Sequence, residues 1–390
     1  MSAFVGWFTN VIAVRMMFYP TNFVGIPPFL GWQGIVPANA RRLAQYSIRL
    51  ITTRLVSLTD LFANFSGEDF AKNLDGVVEE VTNQVVQEIA EKHAPLLWAN
   101  AGEVMQEQLR AKLREEVRAV AVRIADDLGS NITEILDLEQ VVLDAVMADR
   151  ALMSQMFLEV GREEFKFIER SGIWFGGLFG VVQMTIWAVY PEWWILPFFG
   201  FLVGYATNWV ALKLVFEPKQ PTKYGPFVFH GLFHKRQQEV ASRFASITSS
   251  RVLNADNMTA TITTGPSGER VQSIIACHVG ELVDRYAEHP MASMVLQPGQ
   301  SVTLRAELIE RVVADIPKPG GLLHVFTARA VDIRKTLEER MQKLDAEAFE
   351  GVLRPAFQQD EWKLILAGAV LGLAAGLAQL VYVFGEQVPW

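Results

Sequence analysis

The chain has 390 residues, of which 51% are hydrophobic and 20% are charged, and its mean hydropathy is +0.20. This mean is high for a water-soluble protein of such length and indicates segments that cross a membrane. The formal net charge of -8 argues against nucleic acid as a partner. A single cysteine, Cys277, excludes an intrachain disulfide.

Four apolar segments are predicted to cross the membrane, at residues 1–18, 173–190, 193–216 and 363–384. A helix of about 20 apolar residues spans about 30 Å of hydrocarbon. The first segment is shorter and carries Arg15, so either it tilts little or the natural start lies upstream, which we favour. A secretory signal peptide is excluded, because no basic stretch precedes the segment and no small-x-small cleavage site follows it.

Two stretches after the first and third segments, residues 19–37 and 217–235, combine glycine, proline and aromatic residues. This composition prevents a regular helix, and we predict loops that lie at the inner membrane interface.

The long polar regions, residues 38–172 and 236–362, repeat apolar side chains at steps of three and four, for instance from Leu109 to Leu128. That period predicts helices, and each region is expected to form a helical cytoplasmic domain. The predicted fold is an all-α integral membrane protein. The helix that ends near Arg170 is expected to be able to continue into the second span.

Lysine and arginine flank only one end of each predicted span. They follow spans one and three and precede spans two and four, whereas the turn at residues 191–194 has none. Basic flanks stay in the cytoplasm, so we expect a multi-pass protein of the bacterial cytoplasmic membrane with both polar regions inside the cell.

The sequence from Val5 to Pro20 recurs from Val203 to Pro218, with seven of the sixteen positions identical. So much identity is unexpected for two unrelated apolar helices and indicates an internal duplication. A second echo, of two glycines and a glutamine at the same spacing, occurs in the closing spans at Gly176, Gly180 and Gln183 and at Gly372, Gly376 and Gln379. Each half therefore opens and closes with a membrane helix, and the two halves are expected to run in the same direction.

The opening motif, Gly-x-x-Thr-Asn-x-x-Ala-x-Lys/Arg-x-x-Phe-x-Pro, resembles that of the bacterial membrane-protein family catalogued as domain of unknown function 445. The closing Gly-x-x-x-Gly-x-x-Gln is similar to the last helix of that family. The resemblance covers essentially the whole chain and implies a cytoplasmic-membrane protein with a helical soluble body. The family's name records that its activity is unknown, and the first helix of this chain is shorter than the family's.

Each opening helix carries a polar Thr-Asn pair inside the membrane, Thr9-Asn10 in the first and Thr207-Asn208 in the second. A polar group without a hydrogen-bond partner is costly there. We favour hydrogen bonds between helices that dock the two copies together. The alternative is a symmetric polar site for an ion or a headgroup.

Glycines spaced by four predict faces where helices pack closely, within the chain or between protomers of a homo-oligomer. The residues assigned to these faces, with the glutamines beside them, are Gly6, Gly176, Gly180, Gly200, Gly204, Gly368, Gly372, Gly376, Gln183 and Gln379. A basic collar at the inner interface either anchors the chain to lipid phosphates or forms a specific headgroup site. Its members are Arg15, Lys213, Lys219, Lys223, Lys235 and Arg236.

No catalytic or cofactor-binding signature is present in the sequence. His230 and His234 have the spacing of two metal ligands, but no carboxylate or thiol lies at a suitable spacing. Cys277 and His278 are neighbours, which do not face each other in a helix. We predict no metal, no cofactor and no enzyme activity.

The first functional hypothesis is a non-enzymatic, oligomeric anchor or scaffold that organises membrane lipids or a cytoplasmic protein partner at the inner membrane surface. The alternative is a transporter, channel or lipid-handling protein whose polar pathway is lined by the Thr-Asn helices. Duplication favours the alternative, whereas the lack of a charged residue at mid-membrane depth opposes it.

Overall fold

The computed structural model describes residues 2–26, 30–55, 57–62, 65–93, 95–287, 300–316, 318, 321–329, 333–354 and 361–383. These residues are mostly helical, as the apolar periodicity predicts. The helices are α1 Ser2–Phe18, α2 Ile35–Ala38, α3 Ala40–Leu50, α4 Leu58–Phe62, α5 Gly67–Asn73, α6 Asp75–His93, α7 Pro95–Asn100, α8 Glu103–Ser130, α9 Ile132–Ile135, α10 Leu138–Ala148, α11 Ala151–Val160, α12 Arg162–Val189, α13 Ile195–Phe216, α14 Leu232–Lys235, α15 Gln237–Ile247, α16 Ala255–Thr263, α17 Gly265–Ala287, α18 Gln300–Asp315, α19 Leu322–Arg329, α20 Ile333–Gln342, α21 Ala346–Leu353 and α22 Glu361–Val383. Two π-helical turns, Ile51–Leu55 and Thr248–Val252, follow α3 and α15.

The chain forms two compact units. The first unit contains Met1–Leu55, Ala145–Arg251 and Arg334–Trp390, and the second contains Val56–Asp144 and Val252–Ile333. Helices of both polar regions therefore share the second unit, and parts of both also belong to the first. This division differs from the expected pair of domains at 38–172 and 236–362, because partners far apart in the chain decide which helices pack together.

Three of the described helices in the first unit, α12, α13 and α22, are long and apolar enough to cross a membrane. The shorter α1 is also apolar. Helix α12 is continuous from Arg162 to Val189, which confirms that the helix around Arg170 continues into the apolar stretch. The sequence also predicts a kink at Pro355 in the helix that enters the fourth span, because proline interrupts a helix, but Pro355 lies outside the described residues.

The apolar helices associate as two antiparallel pairs, α1 with α12 and α13 with α22. In the first pair, Ser2 lies beside Gly180 and Gly6 beside Gly172, so the residue numbers run in opposite directions. A short turn joins α12 to α13, and Ile168 and Leu212, at the ends away from that turn, line the same small cavity. Helices α12 and α13 are therefore antiparallel as well, and α1 runs in the same direction as α13.

The two stretches predicted as loops each contain a short antiparallel hairpin, which the sequence did not indicate. Strands β1 Val24–Ile26 and β2 Leu30–Trp32 pair in the first, and β3 Thr222–Tyr224 and β4 Phe227–Phe229 pair in the second. Gly225, at the first turn position between β3 and β4, has a φ of +61°, which glycine adopts without steric cost. Strands of three residues are too short to give an alternating pattern.

The second unit is a helical bundle in which α17 packs against α8, α16 and α18. Helix α8 buries Val120, Ala121, Ile124, Ala125 and Leu128, one face at the predicted period. Aromatic rings fill part of the core. The ring centroid of Phe326 lies 5.2 to 5.8 Å from the ring centroids of three other phenylalanines. Ion pairs between its exposed side chains, such as Lys92 with Glu307, add little stability.

Candidate functional site

Glycines allow α1 and α12 to approach until their backbones touch. A Cβ atom added to Gly6 would overlap the carbonyl oxygen of Gly172, and one added to Gly176 would lie 2.7 Å from the carbonyl oxygen of Ser2. One added to Gly180 would lie 2.5 Å from the Cβ of Ser2. Any larger residue at these positions would force the two helices apart.

The contact between α13 and α22 follows the same pattern. A Cβ atom added to Gly204 would overlap the carbonyl oxygen of Gly368, and Gly200 and Gly372 face each other in the same way. One added to Gly376 would lie 2.5 Å from the carbonyl oxygen of Leu196. The glycine faces therefore pack helices within one chain, and the homo-oligomer stays a prediction that no described contact supports.

One glycine of these faces, Gly172, is not among those predicted from the sequence. In the sequence, Gly172 stands out only as the one possible helix breaker between Arg170 and the second span, yet in the structure it makes the closest approach to Gly6. It lies four residues before Gly176 and eight before Gly180, and this regular spacing is the signal that identifies it. Gly200, which the spacing does predict, lies four residues before Gly204. Of the two predicted glutamines, Gln183 is buried and accepts a long hydrogen bond from Ser2 Oγ at 3.5 Å, whereas Gln379 is half-buried.

Each asparagine of the Thr-Asn pairs joins an opening helix to a closing helix. Asn10 Nδ2 donates a hydrogen bond to the carbonyl oxygen of Ile168 at 2.7 Å, and Asn208 Nδ2 donates one to that of Leu364 at 3.0 Å. The bonds lie inside the pairs α1–α12 and α13–α22. They do not join the two opening helices, which corrects the expectation that they dock the two copies together.

Almost nothing of these polar side chains reaches the surface, since Thr9, Asn10, Thr207 and Asn208 are each at most 1% exposed. Thr9 Oγ1 donates to the carbonyl oxygen of Gly6, and Thr207 Oγ1 to that of Val203. Both asparagine Oδ1 atoms are buried without a hydrogen-bond partner. The geometry fits helix docking, with one acceptor in each pair left unused.

The hairpins present apolar side chains to solvent next to the ends of the apolar helices. Val24 and Ile26 are 63% and 71% exposed, and Val228 is 58% exposed. Trp32 Nε1 donates a hydrogen bond to the carbonyl oxygen of Met16 at 3.3 Å, which ties the first hairpin to the end of α1. Exposed apolar side chains that lie close together are typical of a surface that contacts another protein or a membrane.

The six residues of the predicted basic collar divide into two groups. Lys213 pairs with Glu217 at 3.4 Å, Lys219 with Glu350 at 2.9 Å, and Arg236 with Glu164 at 2.6 Å. The other three are exposed, and none of them has an ion pair within the described part of the chain: Arg15, Lys223 and Lys235. In this second group no carboxylate of the described residues neutralises the charge.

A buried carboxylate that sequence reasoning missed lies in the first unit. Glu350 on α21 is 2% exposed, and its partners are Arg354, Lys219 and His234, whose Nε2 lies 3.9 Å from Glu350 Oε2. A buried charge needs such partners. Nothing in the local sequence signals the cluster, because Lys219 and Glu350 belong to segments far apart in the chain.

His234 is buried between aromatic rings and the Glu350 carboxylate. Its ring centroid lies 5.9 Å from that of Phe233 and 6.2 Å from that of Phe349. Burial lowers the pKa of His234 below its usual value, and the charge of Glu350 opposes this only in part. His230 stacks on His234 at 6.2 Å, and within the described residues no group of three or more histidine, cysteine, aspartate or glutamate side chains is placed to hold a metal ion.

A second buried ion pair joins α12 to the start of α15. Glu164 is 4% exposed, and its Oε1 accepts a hydrogen bond from Arg236 Nη1 at 2.6 Å. Arg236 also pairs with Glu239, and Glu239 with Arg243, each at 2.9 Å. This chain of charges fixes Arg236, so the residue holds helices together and is less free to bind a headgroup.

Comparison of the chain with protein-family models, with curated proteins and with solved structures finds no match.

Proposed function

We propose that the chain is a membrane scaffold of two matched halves, with α1 as a fourth span beside α12, α13 and α22. At 17 residues, α1 is about 25 Å long. Its contacts with α12 match those of α13 with α22, including the bonds of Asn10 and Asn208, and these matches support the proposal. The two hairpins and the two π-helical turns, which are rare in proteins, support the duplication in the same way.

The proposed orientation has the hairpins and the second unit on the cytoplasmic side of a bacterial inner membrane. The basic residues beside the hairpins support it, because positively charged flanks are retained inside the cell. In this arrangement the turn between α12 and α13 faces the periplasm.

The activity we propose is the binding of anionic lipid headgroups by the hairpin surfaces, without catalysis. One observation carries it: the exposed apolar side chain of Val228 on the second hairpin lies in the same segment, residues 217–235, as Lys223 and Lys235, which have no ion pair among the described residues. Val228 pairs in register with Lys223 on the second hairpin. Apolar contact with the acyl boundary and attraction to phosphate add to each other at a membrane surface.

The burial of Asn10 and Asn208 supports helix docking over a hydrated pathway through the Thr-Asn helices. The scaffold is therefore our preferred function, and the transporter or channel is not proposed further. A cytoplasmic protein partner and a homo-oligomer remain predictions from the sequence.

The test is to count the lipids that remain bound to the purified full-length chain by native mass spectrometry. The chain is prepared in detergent with phosphatidylglycerol or with phosphatidylcholine. We expect the wild type to retain more phosphatidylglycerol. The double variant Lys223→Gln/Lys235→Gln should lose about fivefold in affinity per lysine removed, because each lysine near an anionic surface contributes about 1 kcal/mol.

The matched control is Lys112→Gln on α8, which removes an exposed lysine of the second unit. It should leave the retained phosphatidylglycerol unchanged. If the double variant retains as much phosphatidylglycerol as the wild type, the hairpin surfaces do not bind anionic headgroups and the proposal is wrong.

A further inference from the structure

A groove of about 450 Å³ opens in the first unit where α11 meets the start of α12. Its volume lies within the range of small-molecule sites. Three apolar side chains contribute to its wall: Val14 from α1, Leu158 from α11 and Phe165 from α12. The groove therefore offers apolar contact and lies just before the apolar part of α12, which begins near Ile173.

Charged side chains of both signs line the same groove. Arg162 and Lys166 are four residues apart on α12 and so share one face of the helix. Arg251, from the second π-helical turn, adds a third cation. The carboxylates are Glu159 on α11 and Glu169 on α12.

Three of these charges are not neutralised by the protein. Among the described residues, the side chains of Arg162, Glu159 and Glu169 have no ion pair and no hydrogen bond. Lys166 pairs with Glu163 at 2.8 Å on the exposed surface, and Arg251 Nη1 donates to Gln155 Oε1 at 2.5 Å. A groove with unused charges of both signs suits a ligand that carries both a phosphate and an ammonium group.

We propose that this groove binds the headgroup of an aminophospholipid, a lipid with a phosphate and a primary ammonium. Arg162, Lys166 and Arg251 hold the phosphate oxygens, as arginine and lysine do in phosphate sites. Glu159 and Glu169 accept hydrogen bonds from the ammonium group. The acyl chains leave along the apolar surface of α12.

The position of the groove distinguishes a lipid from a soluble phosphate ester. It lies at the boundary between the charged first turns of α12 and its candidate membrane span, where headgroups are found. The two carboxylates oppose a purely anionic headgroup and favour one with an ammonium group. This inference rests on the membrane orientation in the proposed function, but it concerns residues other than the hairpin lysines.

The experiment compares phosphatidylethanolamine with phosphatidylcholine on the purified full-length chain, again by native mass spectrometry. Both headgroups are zwitterionic, but only the primary ammonium has N–H donors for the carboxylates. We expect preferential retention of phosphatidylethanolamine and a loss of about tenfold in its affinity in Arg162→Gln and in Glu159→Gln, because each removes a charge-assisted bond. Leu158→Trp, which fills the groove, should lower the affinity without changing a charge.

Glu115→Gln on α8 is the control, because it neutralises an exposed carboxylate of the second unit. It should leave phosphatidylethanolamine binding unchanged. Thermal melting of each variant shows whether it is folded. Soluble phosphoethanolamine should not displace the lipid. Displacement would show that the acyl chains do not contribute to binding along α12.

Equal retention of the two lipids by the wild type, or unchanged binding in all three groove variants, would overturn the aminophospholipid site. Failure of this site and failure of the hairpin proposal are distinguishable. Loss of phosphatidylethanolamine in the groove variants, with unchanged phosphatidylglycerol in the hairpin variant, would leave the groove standing and remove the hairpin function.

Discussion

Replacing Gly204 by alanine is expected to destabilise the pair α13–α22, although alanine is the better helix former. The new Cβ would overlap the carbonyl oxygen of Gly368 and lie 2.7 Å from its carbonyl carbon. Carbon atoms in contact are about 3.5 to 4.0 Å apart. The two backbones must therefore separate by about 1 Å, since neither contact involves a side chain that could rotate away.

The size of the effect follows from three contributions. Overpacking of this kind costs about 1 to 3 kcal/mol, and a rigid backbone contact belongs at the upper end. Separation of the two helices also weakens the hydrogen bond from Asn208 to Leu364, one turn away, and the loss of this bond costs about 0.6 kcal/mol. The gain in helix propensity from glycine to alanine offsets about 1 kcal/mol. The net expectation is a loss of about 2.5 kcal/mol.

The assay is thermal melting of the purified chain in detergent, followed by circular dichroism. Gly177→Ala is the matched control, because its added Cβ would lie 3.7 Å from the Cβ of Ala3, an ordinary contact. We expect the Gly204 variant to melt several degrees below the wild type and the Gly177 variant at or above it. A Gly204 variant that melts as high as the wild type would refute the close packing of α13 on α22.

Three further predictions concern other contacts. Asn208→Ala should lower the free energy of unfolding by about 1 kcal/mol or less, because it removes one interhelical hydrogen bond. In Asn208→Cys, the new thiol should not react with water-soluble thiol reagents. Rapid labelling would contradict the burial of this position. Burial lowers the pKa of His234 in the folded chain, so the stability that depends on neutral His234 is present above about pH 6.5 and is lost as the pH falls through the folded-state pKa. His234→Gln should therefore reduce the drop in melting temperature between about pH 7.5 and about pH 5.5. His278→Gln in the second unit serves as the comparison. An equal drop in the wild type and in His234→Gln would exclude protonation of His234 as the cause. In a Cys277→Ser background, Glu192→Cys should be labelled in intact cells by a membrane-impermeant thiol reagent and Lys72→Cys only after permeabilisation, and the reverse pattern would invert the proposed orientation.

The sequence by itself indicated the features that depend on neighbouring residues. Apolar stretches identify α12, α13 and α22 because membrane crossing depends on local hydrophobicity. Glycines spaced by four identify the packing faces, since that spacing alone puts them on one side of a helix. The recurrence of Thr9-Asn10 as Thr207-Asn208 required only comparison of the chain with itself.

Only the tertiary structure decided which residues meet across the chain. Asn10 donates to Ile168 and not to the other opening helix, and Glu350 meets Lys219 from a distant segment. Helices of both polar regions share the second unit. These outcomes depend on the order in which helices pack, and no local pattern encodes that order because helices with similar apolar faces can pair in several ways. The charges of the groove, from α11, α12 and the second π-helical turn, are brought together for the same reason.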